Sequence, residues 1–457
     1  MKILDTREPI EIFCIASDIL SRAVLHTLGP NGTNSAIQTN KGYYEIINDG
    51  KTIIEEITSL EPDISPALET LKQASFETNR KAGDGTTSTT VIMNILLQGA
   101  HKYLIEHPEI SPVELRNQIE EIKNTLLEEI NKIKKDISVE DYKKVATVAL
   151  GSDKYSDLIA DVFEFLGKGR KPVLIKSDIS DIEVEKIDGI NLTKSRIVSN
   201  LFLKSTEFSN GLDIICLFEP VNRFQDLTQL LRRVQQTGRD TILFYNQLSS
   251  DILENILFNY TNGAIKLIPV SLQGYGQGTY SIMKELADYC GANVIDNTEC
   301  KISEISKIIF GHVDYGILNS EQIILKTAEK KLEKTYVHLD EKSVIMRLGG
   351  TNIVEREEVF RRIEDAVNSL ASAIEYGIVP GAGRTYSLTI DELLKQNNTI
   401  PEFIVEAMKL IKNKVCTSTT PDNIYDSALV ATEVIKNAFS IVSQVITTKV
   451  VIHENIR

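Results

Sequence analysis

No apolar run in this chain approaches the roughly 18 residues that a membrane-crossing helix requires. Asp5, Glu8 and Glu11 stand near the N-terminus, where a signal or transit peptide would be basic or poor in acid. The expectation is a cytoplasmic protein that touches no membrane. Cysteine is sparse: Cys14, Cys216, Cys290, Cys300 and Cys416 are odd in number and scattered, without a CxxC pair. That pattern excludes a zinc ribbon or dithiol redox centre and predicts reduced, mostly buried thiols. Positive charge is in deficit, with a formal net charge of −14 and no Lys/Arg-rich block, which opposes binding to a phosphate backbone. Nucleic acid is therefore not an expected partner. A GxxxxGK[ST] loop is missing, which removes the P-loop kinases and their relatives. Internal repeats and low-complexity segments are also missing, so a solenoid is excluded.

What is present suits a soluble globular protein of two or three domains: 457 residues, 42% hydrophobic and 25% charged. The stretch with most chemical content is Lys81-Ala82-Gly83-Asp84-Gly85-Thr86-Thr87-Ser88-Thr89-Thr90, followed at once by Val91-Ile92-Met93-Asn94-Ile95-Leu96-Leu97. Two glycines around a carboxylate permit a sharp turn, and the hydroxyls that follow sit where a helix begins with its first amides unpaired. Such a turn can cradle an anion, with Asp84 holding a divalent cation against bound phosphates and Thr86, Thr87 and Ser88 supplying hydroxyls. The same residues also suit an ordinary loop with an N-cap.

Along the chain, apolar spacing predicts a helix over 10–28 that stops at Gly29-Pro30-Asn31-Gly32, then two short strands over 35–38 and 43–47 joined through Asn40-Lys41-Gly42. Asn48-Asp49-Gly50 turns the chain into another helix, with Asp49 at its start as a cap or as a functional carboxylate. Helices are predicted over 66–81, 88–105, 112–137 and 142–166. Beyond Pro172 short strands appear, with Gly189 as a candidate hinge. Strands and helices alternate over 212–296, which predicts parallel strands with helices packed on the sheet. Further strands are predicted over 305–310 and 322–326. Helical texture returns at 355–376 and persists to a last strand over 446–452. The helical portion is thus split around an α/β portion.

Several of these stretches, in order, resemble one family. Thr27-Leu28-Gly29-Pro30-Asn31-Gly32-Thr33-Asn34, Asn48-Asp49-Gly50, Gly83-Asp84-Gly85-Thr86-Thr87, Arg362-Ile363-Glu364-Asp365-Ala366 and Gly377-Ile378-Val379-Pro380-Gly381-Ala382-Gly383 resemble the chaperonins, and the resemblance runs nearly end to end, weakest over 302–342. The ending Val445-Ile446-Thr447-Thr448-Lys449 looks like the bacterial GroEL-type class, whereas Val379-Pro380-Gly381 and Asn48-Asp49-Gly50 lean towards the archaeal and eukaryotic class. The resemblance implies a multidomain α+β fold. Its parts are a mostly helical, split equatorial ATPase domain (1–131 and 377–457), a small intermediate hinge domain (132–188 and 343–376) and an α/β apical domain (189–342).

It also implies an ATP-dependent subunit that assembles into rings and assists the folding of unfolded client proteins, with ATP and Mg²⁺ as cofactors and K⁺ as a further ion. The homo-oligomer would form rings of roughly seven subunits, single or double, in a closed symmetry. A co-chaperonin lid is left open. By resemblance, Thr27, Leu28, Gly29 and Pro30 line the nucleotide; Asp84 holds Mg²⁺; Gly50, Gly85, Thr86, Thr87 and Ser88 face the phosphates. Asp49 and Asp365 are the catalytic carboxylates that align and polarise the attacking water. Gly381, Ala382, Gly383 and Thr420 lie near the adenosine. Without the resemblance, Asp365 reads as one charge on a solvated helix face. Leu227, Leu231, Leu253, Leu257 and Phe258 align with the apolar client groove, although stripes at such spacing usually form core.

Departures from the family pattern carry expectations of their own. The segment between Lys326 and Lys342 is short for the paired helices the family carries there, and Thr420 replaces an acidic residue, for which Asp422 is a nearby substitute. Ala382 replaces the middle glycine of a triplet, which matters if that position needs positive φ. The chain ends without a Gly-Met-rich tail. A divergent, compact chaperonin from a virus or an AT-rich genome fits these losses, and its compartment would then be the host cytoplasm. A chaperonin-derived scaffold or holdase that hydrolyses little or no ATP is the rival reading.

Overall fold

The computed structural model describes residues 2–3, 8–29, 32–38, 44–59, 61, 64–150, 154–192, 195–202, 207–272, 277–298, 300–319, 322–327, 339–396, 399–417, 420–421, 423–450 and 452–453. They form two compact units, Met1–Glu183 with Arg347–Arg457, and Val184–Met346. The expected intermediate domain is not a unit of its own at this level, since 132–183 and 347–376 fall within the first.

The first unit is a helical assembly around the helix Thr86–Glu106. Val91, Ile92, Met93, Leu96, Leu97 and Ala100 are all buried, because the sequence is apolar around the whole circumference rather than along one stripe. The helices Pro9–Val24, Ile64–Ala82, Glu402–Val415 and Ala428–Val445 pack on it. Gly99 permits the close approach of Glu402–Val415: a Cβ there would lie 2.1 Å from Phe403 Cβ. Within this core Ser17 Oγ donates to Asn94 Oδ1 at 2.8 Å and Gln98 Nε2 to the Cys14 carbonyl at 2.8 Å. Among the described residues no helix is long and apolar enough to cross a membrane.

The second unit carries the α/β sheet. Leu212–Leu217, Thr241–Tyr245 and Leu267–Leu272 run parallel, with Val294–Ile295 parallel and Gly311–Val313 antiparallel to Leu212–Leu217. The first two strands are buried along their whole length, as the inner strands of a sheet covered on both faces must be. Helices Phe224–Thr237, Ser250–Thr261 and Gln277–Cys290 supply that cover. All five cysteines are free, four of them buried, and burial pushes the Cys14 and Cys216 thiols up to about 12.

Three expectations are corrected here. No strand runs through 446–450: the last helix ends at Val445, and among the described residues after it only Ile452–His453 forms a strand, paired antiparallel with Lys2–Ile3 of the same chain. Residues 305–310 hold a 3₁₀ turn, Ile305–Lys307, and the strand begins at Gly311. Gly189 is not at a hinge but inside the strand Ile182–Leu192, where a Cβ would sit 2.6 Å from the Leu325 carbonyl oxygen. Residues 328–338, within the shortened segment, and the turn Asn40-Lys41-Gly42 lie outside the described residues.

Candidate functional site

The helix that organises the core also opens the site. Gly83 and Gly85 have φ of 77° and 93°, the left-handed region, so the chain turns tightly about Asp84 and enters the helix at Thr86. The hydroxyls of Thr89 and Thr90 are turned inward, donating to the Gly85 and Thr86 carbonyls at 2.9 Å each. Those of Thr86, Thr87 and Ser88 have no hydrogen-bond partner among the described residues and line a cavity of about 280 Å³. The first-turn amides of the helix, which helix geometry leaves unpaired, add donors at the same end.

The Asn48-Asp49-Gly50 turn abuts this helix start. Gly50 is required there, because a Cβ would lie 1.9 Å from Thr87 Oγ1. The Asp49 carboxylate caps the helix Gly50–Glu56, accepting from the Lys51 amide at 3.1 Å and the Thr52 amide at 2.9 Å, and it also lines the cavity. The capping reading and the functional reading of Asp49 are therefore compatible.

Asp84 accepts from the Gly85 amide at 2.5 Å and from Ser369 Oγ at 3.1 Å. Burial, and then the charge of Asp49, nevertheless hold its carboxyl above the usual range. Asp365 comes from the helix Ile353–Tyr376. Burial raises its carboxyl well above the ordinary value, with Asp84, Asp49 and Glu364 adding repulsion and Lys51 opposing. No group among the described residues hydrogen-bonds the Asp365 carboxylate, which faces the cavity unpartnered. Asp365 is half-buried and lines the cavity, a different setting from that of a fully solvated helix charge.

The opposite wall is built by strand register. Ile378–Pro380 pairs antiparallel with Tyr425–Ser427, placing Asp426 across from Val379 and beside the turn at 381–383. Asp426 is pushed up to about 7 by burial and then by Asp84. Tyr386 also lines the cavity, and burial, with Asp426 and Asp84, holds its phenol well above 10 and so protonated. Ala382 has φ 55°, a conformation that costs a residue with a Cβ roughly 1–2 kcal/mol. The expectation that this position needs positive φ holds, and the alanine bears the strain. Leu28, Val145, Val148, Ile411, Val415 and Val430 make the apolar part of the lining.

Of the expected site residues, Thr27, Leu28, Gly29, Asp49, Gly50, Asp84, Gly85, Thr86, Thr87, Ser88, Asp365, Ala382 and Gly383 line this one cavity. Gly381 and Thr420 do not. The Gly381 amide donates to the Ile424 carbonyl at 2.9 Å, and the Thr420 carbonyl accepts from the Arg384 guanidinium at 3.2 Å, so both serve the turns behind the wall. Pro30 and Asp422 lie outside the described residues. Sequence reasoning missed Ser369, Tyr386 and Asp426. Asp426 had a signal, the alternation of a short strand pair next to the glycine turn; the other two had none. Among the described residues no group of three or more His, Cys, Asp or Glu side chains makes a self-sufficient metal site. That is the donor set Mg²⁺ accepts when phosphates complete its shell: one or two carboxylates and hydroxyls.

In the second unit the proposed client residues divide. Leu227 is fully buried and Leu231 is 8% exposed, on the inward face of their helix, so both are corrected to core. Leu253 and Leu257 are half-buried, and Phe258 is 68% exposed.

Comparison with known proteins agrees with this architecture. Residues 20–213 match the TCP-1/cpn60 chaperonin family. A mitochondrial chaperonin CPN60 of Euglena gracilis is 25% identical over 404 residues, 80% of this chain and 69% of that protein. The chaperonin gp146 from the bacteriophage EL 2 (Pseudomonas aeruginosa), crystallised in the presence of ATP-BeFx, is 17% identical with a TM-score of 0.73, covering all of both chains. A second crystal form of it gives a TM-score of 0.68. Asp365, Ser369, Tyr386 and Asp426, which line the same cavity, come from the chain beyond the end of the family match at residue 213. A glycine-flanked aspartate at a helix start, two further carboxylates lining the same cavity, and a helical unit whose sequence is interrupted by an α/β unit go together with these matches: residues 20–213 match the TCP-1/cpn60 chaperonin family, and the chain has the chaperonin fold.

Proposed function

We propose that this chain is an ATP-dependent chaperonin subunit that assembles into homo-oligomeric rings, captures unfolded client proteins and couples their release to ATP hydrolysis. One observation carries the reading: Asp49, Asp84 and Asp365, from three separate segments, meet at one cavity with the N-terminus of a long helix. Three carboxylates crowded in a low-dielectric wall repel one another, and a bound cation would relieve that repulsion while leaving them ionised. Mg²⁺ held by Asp84 would neutralise phosphate charge when bound with the nucleotide. The amides and hydroxyls of Thr86, Thr87 and Ser88 position the phosphates, and the apolar wall around Val145 and Val415 receives the base. Asp365, unpartnered and above its ordinary pKa, accepts a proton from water at its carboxylate oxygen, and Asp49, fixed by the helix it caps, orients that water. Phe258, with the half-buried Leu253 and Leu257 of the same helix, supplies the apolar face for clients.

Electron microscopy of the purified protein with Mg·ATP, alongside phosphate release, tests this reading. Rings with turnover support it. Rings that bind nucleotide without releasing phosphate would favour a scaffold or holdase, and a monomer at micromolar concentration would refute assembly.

A further inference from the structure

Asp365 is not alone on its face of the helix Ile353–Tyr376: Asn368 and Ser369 follow at i+3 and i+4, one turn on, and point to the same side. They meet the two residues of the glycine turn in succession. Asn368 packs on Gly83, where an added Cβ would lie 2.5 Å from Asn368 Cβ, and its side-chain oxygen accepts from Lys171 Nζ at 2.8 Å. Ser369, 6% exposed, donates its hydroxyl to Asp84 Oδ2 at 3.1 Å, while the Gly85 amide holds Oδ1 at 2.5 Å. Each carboxylate oxygen of Asp84 thus receives one hydrogen bond and keeps a lone pair for another partner.

We infer that Ser369 is a positioning residue for the cation-holding carboxylate: its hydroxyl fixes the rotation of Asp84, so that docking of the helix that delivers Asp365 also sets the orientation in which Asp84 takes Mg²⁺. The inference rests on the reading of Asp84 as the Mg²⁺ ligand. A carboxylate held only by its own neighbour's amide can turn about its Cβ–Cγ bond, and a cation that demands near-octahedral geometry loses affinity when its ligand is free to turn. Hydrogen bonds of this outer kind are commonly worth 10–100-fold in metal affinity. Because the donor sits on the Asp365 helix, cation affinity and delivery of the catalytic carboxylate are set by the same piece of backbone, with Asn368 and Lys171 holding the helix against the turn.

The test is calorimetric titration of Mg²⁺ into the full chain saturated with ADP, which reads cation affinity without turnover, for the wild type, Ser369→Ala and Ser369→Thr. Ser369→Ala is expected to raise the Mg²⁺ concentration at half-saturation by about 10-fold or more. Ser369→Thr, which keeps the hydroxyl, should stay nearer the wild type than the alanine variant does. A role in packing alone would not separate the two variants by their hydroxyl. Equal Mg²⁺ half-saturation in the wild type and Ser369→Ala would overturn the inference and leave the functional reading standing. A wild type that binds no Mg·ADP would overturn both.

Discussion

The contact between Gly50 and Thr87 offers the sharpest test of how the site is assembled. Gly50→Ala adds one methyl group, and its position is known from the backbone: 1.9 Å from Thr87 Oγ1, 3.2 Å from Thr87 Cβ and 3.7 Å from Thr87 Cα. Gly50 does not have positive φ, so alanine is tolerated by the backbone and the whole effect is steric. A separation of 1.9 Å is about half of ordinary carbon–oxygen contact, so either Thr87 leaves its rotamer or the turn carrying Asp49 retreats from the helix start. Overpacking of this kind costs about 1–3 kcal/mol. Both responses disturb the phosphate end of the cavity, because one moves the Thr87 hydroxyl and the other moves Asp49. Replacing Thr87 by alanine removes the 1.9 Å clash and leaves the 3.2 Å contact, which a shift of a few tenths of an ångström relieves. The double variant Gly50→Ala/Thr87→Ala should therefore be more stable than the two single effects added, with a coupling of about 1 kcal/mol or more. Denaturant unfolding of the four proteins measures it. Additive effects, or a Gly50→Ala variant as stable as the wild type, would show that the two motifs do not meet as described.

Asp84→Ala should weaken Mg·ATP binding, whereas Asp365→Ala should leave binding nearly intact and slow single-turnover hydrolysis by about 10²–10⁴-fold; equal small effects of Asp365→Ala on both would return it to a bystander. Phe258→Ser should reduce capture of unfolded clients and change stability by less than about 0.5 kcal/mol, while Leu227→Ser, in the core, should cost about 2–5 kcal/mol; loss of stability in both would place Phe258 in the core too. The raised carboxyls give a pH signature: a group whose folded pKa lies above its unfolded value stabilises below the unfolded value and loses that contribution as pH rises through the folded one. With Asp426 at about 7 and Asp84 and Asp365 also raised, the melting temperature of the nucleotide-free protein should fall as pH rises from about 4 to about 7. Mg·ADP should shrink that fall, and a melting temperature that climbs over the same window would refute the electrostatic account.

Much of the site was legible because its chemistry is local. A glycine pair around Asp84 dictates a turn within four residues, and the hydroxyls after it can only head the next helix. Asp49 before a helix start is an N-cap by the same short-range logic, and its further role was visible only through family resemblance. The errors fall where neighbours in space decide. Leu227 and Leu257 are both apolar residues of helices beside the sheet, yet Leu227 is fully buried and Leu257 is half-buried. Residues 446–452 are apolar and β-branched enough to suggest a strand, but the last helix continues through Val445, and among the described residues after it only Ile452–His453 pairs as a strand, with Lys2–Ile3.

By itself, then, the sequence determined a helical portion interrupted in sequence by an α/β portion and the turn at Asp84, since helix periodicity, strand alternation and glycine conformation act over a few residues; Asp49 and Asp365 became candidates only through the family resemblance. Only the tertiary structure decided which carboxylates share a cavity. Asp426 arrives by cross-strand register with Val379, and Ser369 and Tyr386 by helices docking from the far half of the chain. The strain at Ala382 and the raised carboxyls likewise belong to the folded state, because a left-handed φ and a low-dielectric wall exist only once distant segments have closed around them.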